Sequence, residues 1–443
     1  MTSKFSVEES YRLEQGLRLR SQTVDVIEAL QLNHLQAHLR VAVKTPFYES
    51  MFADCGLNVN DFDRLGLLDK LPFTSRQDLD QEPASFGGGT GGQVLDIALT
   101  SGTTGEPVVI PYTERDLHRL AYNEAVSFHS AGVQAGDRAL LTVTLDRCFI
   151  AGLAYYSGLT HLGATAIRSG PGQPSRQWQI IQRLQPSCLV GVPSFLVELG
   201  EWGLANGFLR EGKSSPVNTI VTIGEPTRKF DFSPTAQGKR LIELWGANIF
   251  SSYGATEFET AFGECSAGQG GHIHPELMVV EIVDEHGRTL PDGEPGEVVV
   301  TPIGVEGFPL VRFRTGDIAR LHRGACSCGW NSPRLGPLEG RLAQRLKYRG
   351  TTFYPESIFF ALQEWLVDAI ACVEVRQAAD GADDVCVVVG CDEPSVTPEA
   401  VEERLQAHLR VRPRVHMKGR EEVQRIMFAE GGRKPKKFFD FRP

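Results

Sequence analysis

A run of small hydroxyl and glycine residues, ALTSGTTGEPVVI at 98–110, is well suited to bind an anion. Glycines let the backbone approach a ligand closely, and hydroxyl and backbone N–H groups can donate to phosphate oxygens without any positive charge. A polar β-turn is the alternative for such a composition. The string SGTTGEP is more specific than a generic turn, and it is not a Walker A loop because no GK[ST] closes it. We therefore predict a phosphate-binding loop here.

Cysteine and histidine form a second constellation. Cys326 and Cys328 flank a single residue, and Cys265 and His272 precede them in the chain. The four side chains match a tetrahedral Cys₃His zinc site, which would be structural. His274 is a competing fourth ligand. Reduced thiols without metal are the alternative, because a Cys-x-Cys pair is less specific than Cys-x-x-Cys.

Four further motifs follow in order: YGATE at 253–257, RFRTGD at 312–317, EGRLAQRLKYRG at 339–350 and GGRKPKKF at 431–438. Each alone could be a strand end, a turn, a charged linker or a basic tail. In this order and spacing, together with SGTTGEP, they resemble the adenylate-forming superfamily of acyl-CoA synthetases, and within it the phenylacetate-CoA ligase branch. PFYESMFADCGL and LPFTSRQDL also resemble that branch, so the resemblance covers nearly the whole chain.

The resemblance implies an α/β fold with two domains. A large N-terminal domain, residues 1–341, would combine mostly parallel sheets with an antiparallel β part, and residues 342–443 would form a small, mobile α+β domain. The implied activity is ATP-dependent activation of a carboxylic acid, expected to be aryl, as an acyl-adenylate. The acyl group would then pass to a thiol, either coenzyme A or the phosphopantetheine of an acyl carrier protein, with release of AMP and pyrophosphate.

The resemblance also implies roles for individual residues. Lys434, Glu257 and Thr256 are the expected catalytic residues: Glu257 would hold Mg²⁺, and Lys434 would neutralise charge as the carboxylate attacks the α-phosphate. Asp317 would accept hydrogen bonds from the ribose, with Arg341 on the same nucleotide. The other expected nucleotide contacts are Ser101, Gly102, Thr103, Thr104 and Gly105 at the phosphates, Tyr253 and Gly254 at the adenine, and Gly224, Glu225 and Pro226 bordering the adenine and the acid.

Two features depart from the family pattern. The hinge carboxylate that should follow Gly340-Arg341-Leu342 is absent, because Ala343-Gln344 stands there. The terminal loop also contains three lysines, at 434, 436 and 437. We assign the catalytic role to Lys434 from its distance to the closing DFR sequence.

The acid pocket is the least specified part of the site. In the family it adjoins the segment that matches DRCFIAGLAYYSG at 146–158. Aromatic residues that follow a strand are often plain core, which is the alternative interpretation. Asp146 and Arg147 stand where apolar or small residues are expected, which favours a polar substituent on the acid. The expected acid contacts are Phe149, Tyr155 and Tyr156, together with Gly224.

Two other functions stay open from the sequence. The adenylate could be the product or could pass to an amine or hydroxyl. The chain could also be a non-catalytic nucleotide or zinc scaffold, although a scaffold has no chemical reason to carry Glu257, Asp317, Arg341 and Lys434 together.

Helices and apolar strands that alternate must position these residues. After a capping box at Thr113-Glu-Arg-Asp116, strands are predicted at 139–145, 188–192, 218–224 and 247–253, with helices between them near 175–184, 194 and 241–245. Such alternation predicts a parallel sheet, whose ligands bind beyond the carboxyl ends of the strands. Hairpin patterns after Tyr253 predict antiparallel strands.

Composition sets the outer limits. The chain has 443 residues, 41% hydrophobic and 23% charged, with a net charge of −10, so it is globular and neither nucleic acid nor an anionic membrane is an expected partner. Nine scattered cysteines and the absence of an apolar leader or span predict a cytoplasmic protein. A homodimer and a role in secondary metabolism are further expectations.

Overall fold

The computed structural model describes residues 11–87, 91–100, 107–210, 215–349, 351–366, 369–378, 383–429 and 435–442. These residues divide into two units. The first contains the chain up to Thr315 and Ala319–Pro337, and the second contains Gly316–Ile318 and the chain from Leu338 onward. The sequence places the boundary after residue 341, whereas the structure begins the second unit a few residues earlier and adds the short stretch around Asp317 to it.

The first unit is organised around a mixed β-sheet. The strands of the first unit, some of which belong to other sheets, are β1 Val94–Leu99, β2 Val109–Thr113, β3 Arg138–Leu141, β4 Thr165–Arg168, β5 Cys188–Gly191, β6 Thr219–Ile223, β7 Asn248–Ala255, β8 Thr260–Glu264, β9 Gly271–His272, β10 Met278–Val283, β11 Gly296–Pro302, β12 Phe313–Ala319 (which continues into the second unit), β13 Leu321–His322 and β14 Arg334–Leu335. Within the described ranges the sheet has the order β13-β14-β9-β8-β7-β6-β5-β3-β4. Strands β4 to β7 pair in parallel, and the pairs from β7 outward to β13 are antiparallel. Separate antiparallel hairpins join β1 to β2 and β10 to β11.

The helices of the first unit begin where the sequence provides start signals. They are α1 Leu13–Arg20, α2 Val24–Ala42, α3 Pro46–Cys55, α4 Arg76–Gln81, α5 Glu114–Ser130, α6 Ile150–Leu162, α7 Pro174–Leu184, α8 Pro193–Ala205 and α9 Ala236–Trp245. Proline opens α3, α7 and α8, where its missing N–H costs nothing. The predicted capping box at Thr113 and Asp116 is present at α5. None of the helices among the described residues is both long and apolar enough to cross a membrane.

The central parallel strands β5 and β6 are buried on both faces, whereas β4 at the edge of the sheet is partly exposed. In β5, Cys188 and Val190 pack into one core cluster, and Leu189 packs into the cluster on the opposite face. The predicted α/β class, with a parallel centre and an antiparallel part, is therefore confirmed. The sequence missed α6 and β4, which lie between the predicted strand at 139–145 and the helix α7.

The second unit is a smaller α+β structure. Its elements are β15 Gly340–Arg341, β16 Leu346–Tyr348, β17 Thr351–Phe353, α10 Pro355–Gln363, β18 Ile370–Gln377, β19 Asp383–Gly390, α11 Pro398–Leu409, β20 Arg414–Lys418, α12 Arg420–Met427 and β21 Phe438–Asp440. The sheet order is β20-β19-β18-β21, with β18 and β19 antiparallel. Valines of β18 and β19 form its core with apolar residues of α10 and α11.

Arg442 stabilises the predicted hinge within this unit. Its guanidinium donates to the backbone oxygens of Ala343 and Arg345 at 3.4 and 3.2 Å and to the carboxylate of Asp383 at 3.2 and 3.3 Å. Asp383 also accepts a hydrogen bond from the backbone N–H of Lys347 at 2.6 Å. The segment that lacks the family carboxylate is thus held through its backbone.

Candidate active site

The described segments of the first unit that are predicted to bind the nucleotide and the acid lie at one edge of the parallel sheet. Strands β4 and β5 lie on opposite sides of β3, so the chain order reverses there. Ligands of open α/β sheets bind beyond the carboxyl ends of the strands at such a switch point. The segments that follow these carboxyl ends are 146–149 after β3, Ser194 after β5, 224–226 after β6 and 253–257 at the end of β7.

Glu225 connects two of these segments. Its carboxylate accepts hydrogen bonds from the backbone N–H and the hydroxyl of Ser194, both at 2.9 Å, and from the amide of Gln237 at 3.1 Å. Gly224, before it, has φ 82°, a conformation that side chains disfavour. Glu225 therefore holds the turn after β6 against the start of α8. These contacts fix the backbone conformation of the neighbouring residues Gly224 and Pro226.

Tyr253 provides a flat aromatic surface at the end of β7. Its ring is stacked on Phe262 of β8, with centroids 5.8 Å apart and planes 18° apart. Phe258 contacts the same tyrosine ring at 5.9 Å. Gly254 is exposed, and Thr256 opens the short 3₁₀ turn that follows. Tyr253 is held from behind and keeps part of its surface accessible, as a base-stacking residue requires.

Glu257 forms an ion pair with Arg76, a residue for which the sequence predicts no role. Nη1 of Arg76 lies 3.3 Å from Oε1 of Glu257 and 3.3 Å from Oγ1 of Thr100. Nε of Arg76 donates to Asp80, one turn further along α4, at 2.8 Å. Thr100 and Val108 exchange hydrogen bonds of 3.1 and 2.9 Å, which joins the ends of β1 and β2. One guanidinium thus connects the predicted metal carboxylate to the flank of the predicted phosphate loop.

Several predicted residues lie outside the described ranges. They are Ser101, Gly102, Thr103, Thr104, Gly105 and Lys434. The two other lysines of the terminal loop are described: Nζ of Lys436 lies 5.3 Å from the ring of Phe439, and Nζ of Lys437 lies 5.8 Å from the ring of Phe359.

Asp317 and Arg341 lie together in the second unit. They face each other across the paired strands β12 and β15, and Nε of Arg341 is 3.2 Å from Oδ1 of Asp317. Asp317 is 7% exposed. Glu356, near the start of α10, is a further carboxylate beside them: burial raises its pKa, Arg341 opposes that shift and Asp317 adds to it.

The acid segment separates into exposed and buried aromatic residues. Phe149 is 38% exposed, whereas Tyr155 is 2% exposed and packs edge-on against Phe128 in the core. Burial raises the pKa of Tyr155 well above its usual value. The core interpretation is the one that the burial of Tyr155 favours. Tyr156 is partly buried, and the guanidinium of Arg168 lies 5.3 Å from its ring centroid.

The four predicted metal ligands converge in the first unit. The ligand atoms of Cys265, His272, Cys326 and Cys328 all lie within 4.8 Å of one another. Sγ of Cys265 is 3.6 Å from Sγ of Cys326, and Sγ of Cys328 is 3.4 Å from Nε2 of His272. Tetrahedral zinc with Zn–S near 2.3 Å and Zn–N near 2.0 Å separates its ligand atoms by roughly 3.5–3.8 Å. The donor set and spacing therefore fit zinc.

The imidazole of His272 is oriented for ligation. Its Nδ1 lies 2.9 Å from Oγ of Ser332, which leaves Nε2 directed at the thiols. Burial, reinforced by Arg20 and Arg334, lowers the pKa of His272 to about 3, so the ring is neutral, as a metal ligand must be. His274, the competing ligand, instead contacts Arg20 and the hydroxyl of Ser127.

Sequence reasoning missed three residues of these sites. Arg76 follows Ser75 in a Ser-x-x-Asp capping box, a signal that predicts a helix start but says nothing of its neighbours in space. Ser332 and Glu356 lie within otherwise ordinary segments and reach their partners only through the fold.

Comparison with known proteins identifies the family. A model described as AMP-binding enzyme matches residues 54–305. The phenylacetate-coenzyme A ligase of Pseudomonas putida is 32% identical over 348 residues, which are 77% of this chain and 76% of that protein. The protein of the same name from Thermus thermophilus is 31% identical over 347 residues, 76% of each chain.

Solved structures agree on the fold. The 2-hydroxyisobutyryl-CoA ligase in its postadenylation state in complex with R3-HIB-AMP superposes with a TM-score of 0.82, covering 96% of this chain and 91% of that one at 19% identity. The sequence relatives confirm the expected family and leave no support for a non-catalytic scaffold. The chain belongs to the AMP-binding enzyme family and is a phenylacetate-coenzyme A ligase-like, AMP-forming acid–thiol ligase.

Proposed function

We propose that this enzyme activates an aryl carboxylic acid with ATP and transfers the acyl group to coenzyme A. The relatives in Pseudomonas putida and Thermus thermophilus are phenylacetate-coenzyme A ligases, and both cover about three quarters of this chain. The phosphopantetheine of a carrier protein is the alternative acceptor. Transfer to an amine or hydroxyl has no specific observation in its favour.

One observation carries the proposal: the contacts of Arg76 bring Glu257 and Thr100 together, although these two residues lie far apart in the sequence. Thr100 directly precedes the Ser101–Gly105 segment, which we propose binds the ATP phosphates. Glu257 would hold Mg²⁺, a hard cation that prefers carboxylate and phosphate oxygens and neutralises phosphate charge. Tyr253, four residues before Glu257, would stack on the adenine.

The first half-reaction is an in-line displacement at phosphorus. A carboxylate oxygen of the acid attacks the α-phosphorus, the bond from the α-phosphorus to its bridging oxygen breaks, and pyrophosphate leaves with the electron pair. Such chemistry needs positioning and charge neutralisation more than covalent help. Lys434 would neutralise the α-phosphate, Asp317 would accept hydrogen bonds from the ribose, and Arg341 would contact the same nucleotide.

The second half-reaction replaces AMP by the thiol. The sulfur attacks the acyl carbon, the acyl–phosphate bond breaks, and AMP leaves with the oxygen. In this family the small domain rotates between the two steps, and the braced segment 343–347 would then move with the second unit. Gly224, fixed by Glu225, would present its backbone to the acyl group.

The acid itself is proposed to be an aromatic acid with a polar substituent. Phe149 is an exposed aromatic side chain at the switch point, and the Asp146 and Arg147 side chains beside it are 67% exposed. Tyr156 is the second candidate contact, whereas the burial of Tyr155 favours a supporting role.

We also propose that Cys265, His272, Cys326 and Cys328 hold a structural zinc. The fit of their spacing to a tetrahedral ion supports this, and the chemistry of adenylation requires no zinc-activated water. Elemental analysis of purified protein should give about one zinc per chain, and a protein of full stability without zinc would contradict the proposal. The homodimer, the cytoplasmic location and the role in secondary metabolism stay predictions.

Acid-dependent pyrophosphate exchange tests the proposal directly. Aryl acids, their hydroxylated and aminated derivatives and short aliphatic acids are assayed in parallel, with Glu257→Gln as the inactive control. Fast exchange with a substituted aryl acid, followed by turnover on adding coenzyme A, is the expected result. Exchange without thiol-dependent turnover would point to another acceptor, and exchange with aliphatic acids alone would contradict the aryl assignment.

A further inference from the structure

We propose that Arg76 is a pyrophosphate-binding residue that also positions Glu257. Its guanidinium would contact the terminal phosphates of ATP and stabilise pyrophosphate as it leaves. The inference rests on the proposed function for the role of Glu257, and it extends that function to a residue with no assigned part in it.

Arg76 lies between the carboxylate of Glu257 and the hydroxyl of Thr100. Nη1 is equidistant, at 3.3 Å, from the carboxylate of Glu257 and from the hydroxyl of Thr100. Thr100 is 5% exposed and bonded to Val108, so it is a fixed point at the end of β1. Any anion held beside both Glu257 and Thr100 would lie within reach of this guanidinium.

The side chain is held in place rather than freely mobile. Arg76 is the first residue of α4, whose start is fixed by Ser75 and Asp78: the backbone N–H of Ser75 donates to Asp78 at 2.7 Å. Asp80 then accepts from Nε of Arg76 at 2.8 Å. Only 25% of the Arg76 side chain is exposed, so its orientation is set before a ligand arrives.

The charges around Arg76 favour a cation at this point. Asp78 and Asp80 belong to α4 and Glu257 pairs with its first residue, and a triphosphate would add further negative charge to these three carboxylates. Arg76 contacts two of these carboxylates directly. A guanidinium carries five N–H donors in a planar fork, so it can keep Glu257 and donate to a phosphate oxygen at the same time.

The same position suits the chemical step. When the bond between the α-phosphorus and the bridging oxygen breaks, negative charge accumulates on the pyrophosphate. A preorganised cation that touches this group stabilises the transition state more than the ground state. Arg76 would thus act on the leaving group, while Lys434 would act on the α-phosphate.

Calorimetric binding of Mg²⁺·pyrophosphate tests the inference without knowledge of the acid. Arg76→Gln should weaken binding about 10- to 100-fold, which is the usual value of a hydrogen bond to a charged group, and Arg76→Lys should lie between that variant and the original protein. Arg115→Gln is the matched control, because Arg115 forms a similarly exposed pair with Glu306 at 3.2 Å.

The outcomes separate a binding role from a structural one. Equal pyrophosphate affinity in the original protein and in Arg76→Gln, or no binding by the original protein, would overturn the inference. A lowered unfolding temperature with unchanged affinity would show that Arg76 is only structural. Where Arg76→Gln fails to fold, Arg76→Lys carries the comparison, and its full affinity would refute the need for the guanidinium fork. If pyrophosphate binds but no acid supports exchange, the proposed function fails while the role of Arg76 stands.

Discussion

Two groups of side chains in the first unit are held by different forces. One is the thiol cluster, formed by Cys265, His272, Cys326 and Cys328, and the other is the pair of Glu257 and Arg76. Three cysteines and a neutral imidazole contact one another directly, with ligand atoms within 4.8 Å. Glu257 instead forms an ion pair with Arg76. Neutral donors can be assembled by packing and hydrogen bonds, whereas an ionised carboxylate in a partly buried site requires a cation beside it.

A third group shows what happens without that cation. Glu124 is fully buried in α5, and its side chain accepts a hydrogen bond from the Asn123 amide at 3.1 Å. Burial raises the pKa of Glu124 to about 8, so this carboxyl is neutral at pH 7. The fold therefore buries polar side chains in three ways: as a charge paired with an opposite charge, as neutral groups that contact one another, and as a protonated acid. A separate substitution can test each of them.

The largest effect is expected in the catalytic machinery. Lys434→Ala should lower acid-dependent pyrophosphate exchange by about 10²-fold or more, because a preorganised charge at the α-phosphate is lost. Thiol transfer from pre-formed adenylate should change little. Lys436→Ala is the control, since Lys436 lies over the ring of Phe439. Collapse of exchange in the control, with normal exchange in Lys434→Ala, would move the catalytic role to Lys436.

Loss of the thiol cluster should act on stability rather than on chemistry. The double variant Cys326→Ser and Cys328→Ser should lose bound zinc and several kcal/mol of unfolding free energy, because metal binding is coupled to folding. Chemical denaturation and elemental analysis measure both quantities. Cys55→Ser, a half-buried thiol outside the cluster, should keep both. Unchanged stability in the double variant would remove the structural role.

Glu124→Gln should change how stability depends on pH. The folded-state pKa of about 8 exceeds the ordinary value of 4.5, so the stability contributed by the neutral carboxyl is complete below pH 4.5 and is lost as pH rises through 8. The glutamine variant lacks this loss and should be a few kcal/mol more stable than the original protein at pH 9. Denaturant unfolding from pH 4 to 9 measures this, with exposed Glu114→Gln on the same helix as control. Parallel pH profiles for both variants would contradict the neutral carboxyl.

The smallest effect is expected from the hydrogen bond that Ser332 makes to His272, a proposed zinc ligand. Ser332→Ala removes the partner of Nδ1 of His272 and should weaken zinc affinity about tenfold, because groups behind a ligand orient it. Competition with a chromophoric chelator measures the change. Ser327→Ala, exposed between the two cysteines, should leave the affinity unaltered. Equal affinity in both variants would mean that packing alone orients the ring.

The sequence predicted what depends on local pattern. The apolar runs at β5, β6 and β7 predicted the parallel sheet. The motifs at the ends of these strands identified segments that lie at one edge of that sheet. The four predicted metal ligands could be singled out because the thiol and imidazole groups that bind zinc are recognised from residue type alone, and the fold brings their ligand atoms within 4.8 Å of one another.

The missed features depend on contacts distant in sequence. In α6, Gly152 and Gly158 weaken any helix prediction. A Cβ at position 152 would lie 1.9 Å from the backbone oxygen of Thr144, and a Cβ at position 158 would lie 2.2 Å from Cβ of Glu124. These glycines permit close packing that no local pattern reveals. Tyr155, one turn away, shows the same limit, because its type suits either a pocket or the core.

Trp330 gives the thiol cluster an optical consequence. Its indole lies 4.9 Å from the imidazole of His272, and the guanidinium of Arg20 lies 5.5 Å from the same indole. Indole emission responds to the electric field across the ring and to nearby quenching thiols. An ion that settles among the four ligands would change both, so the fluorescence of this tryptophan follows the occupancy of the cluster without any added dye.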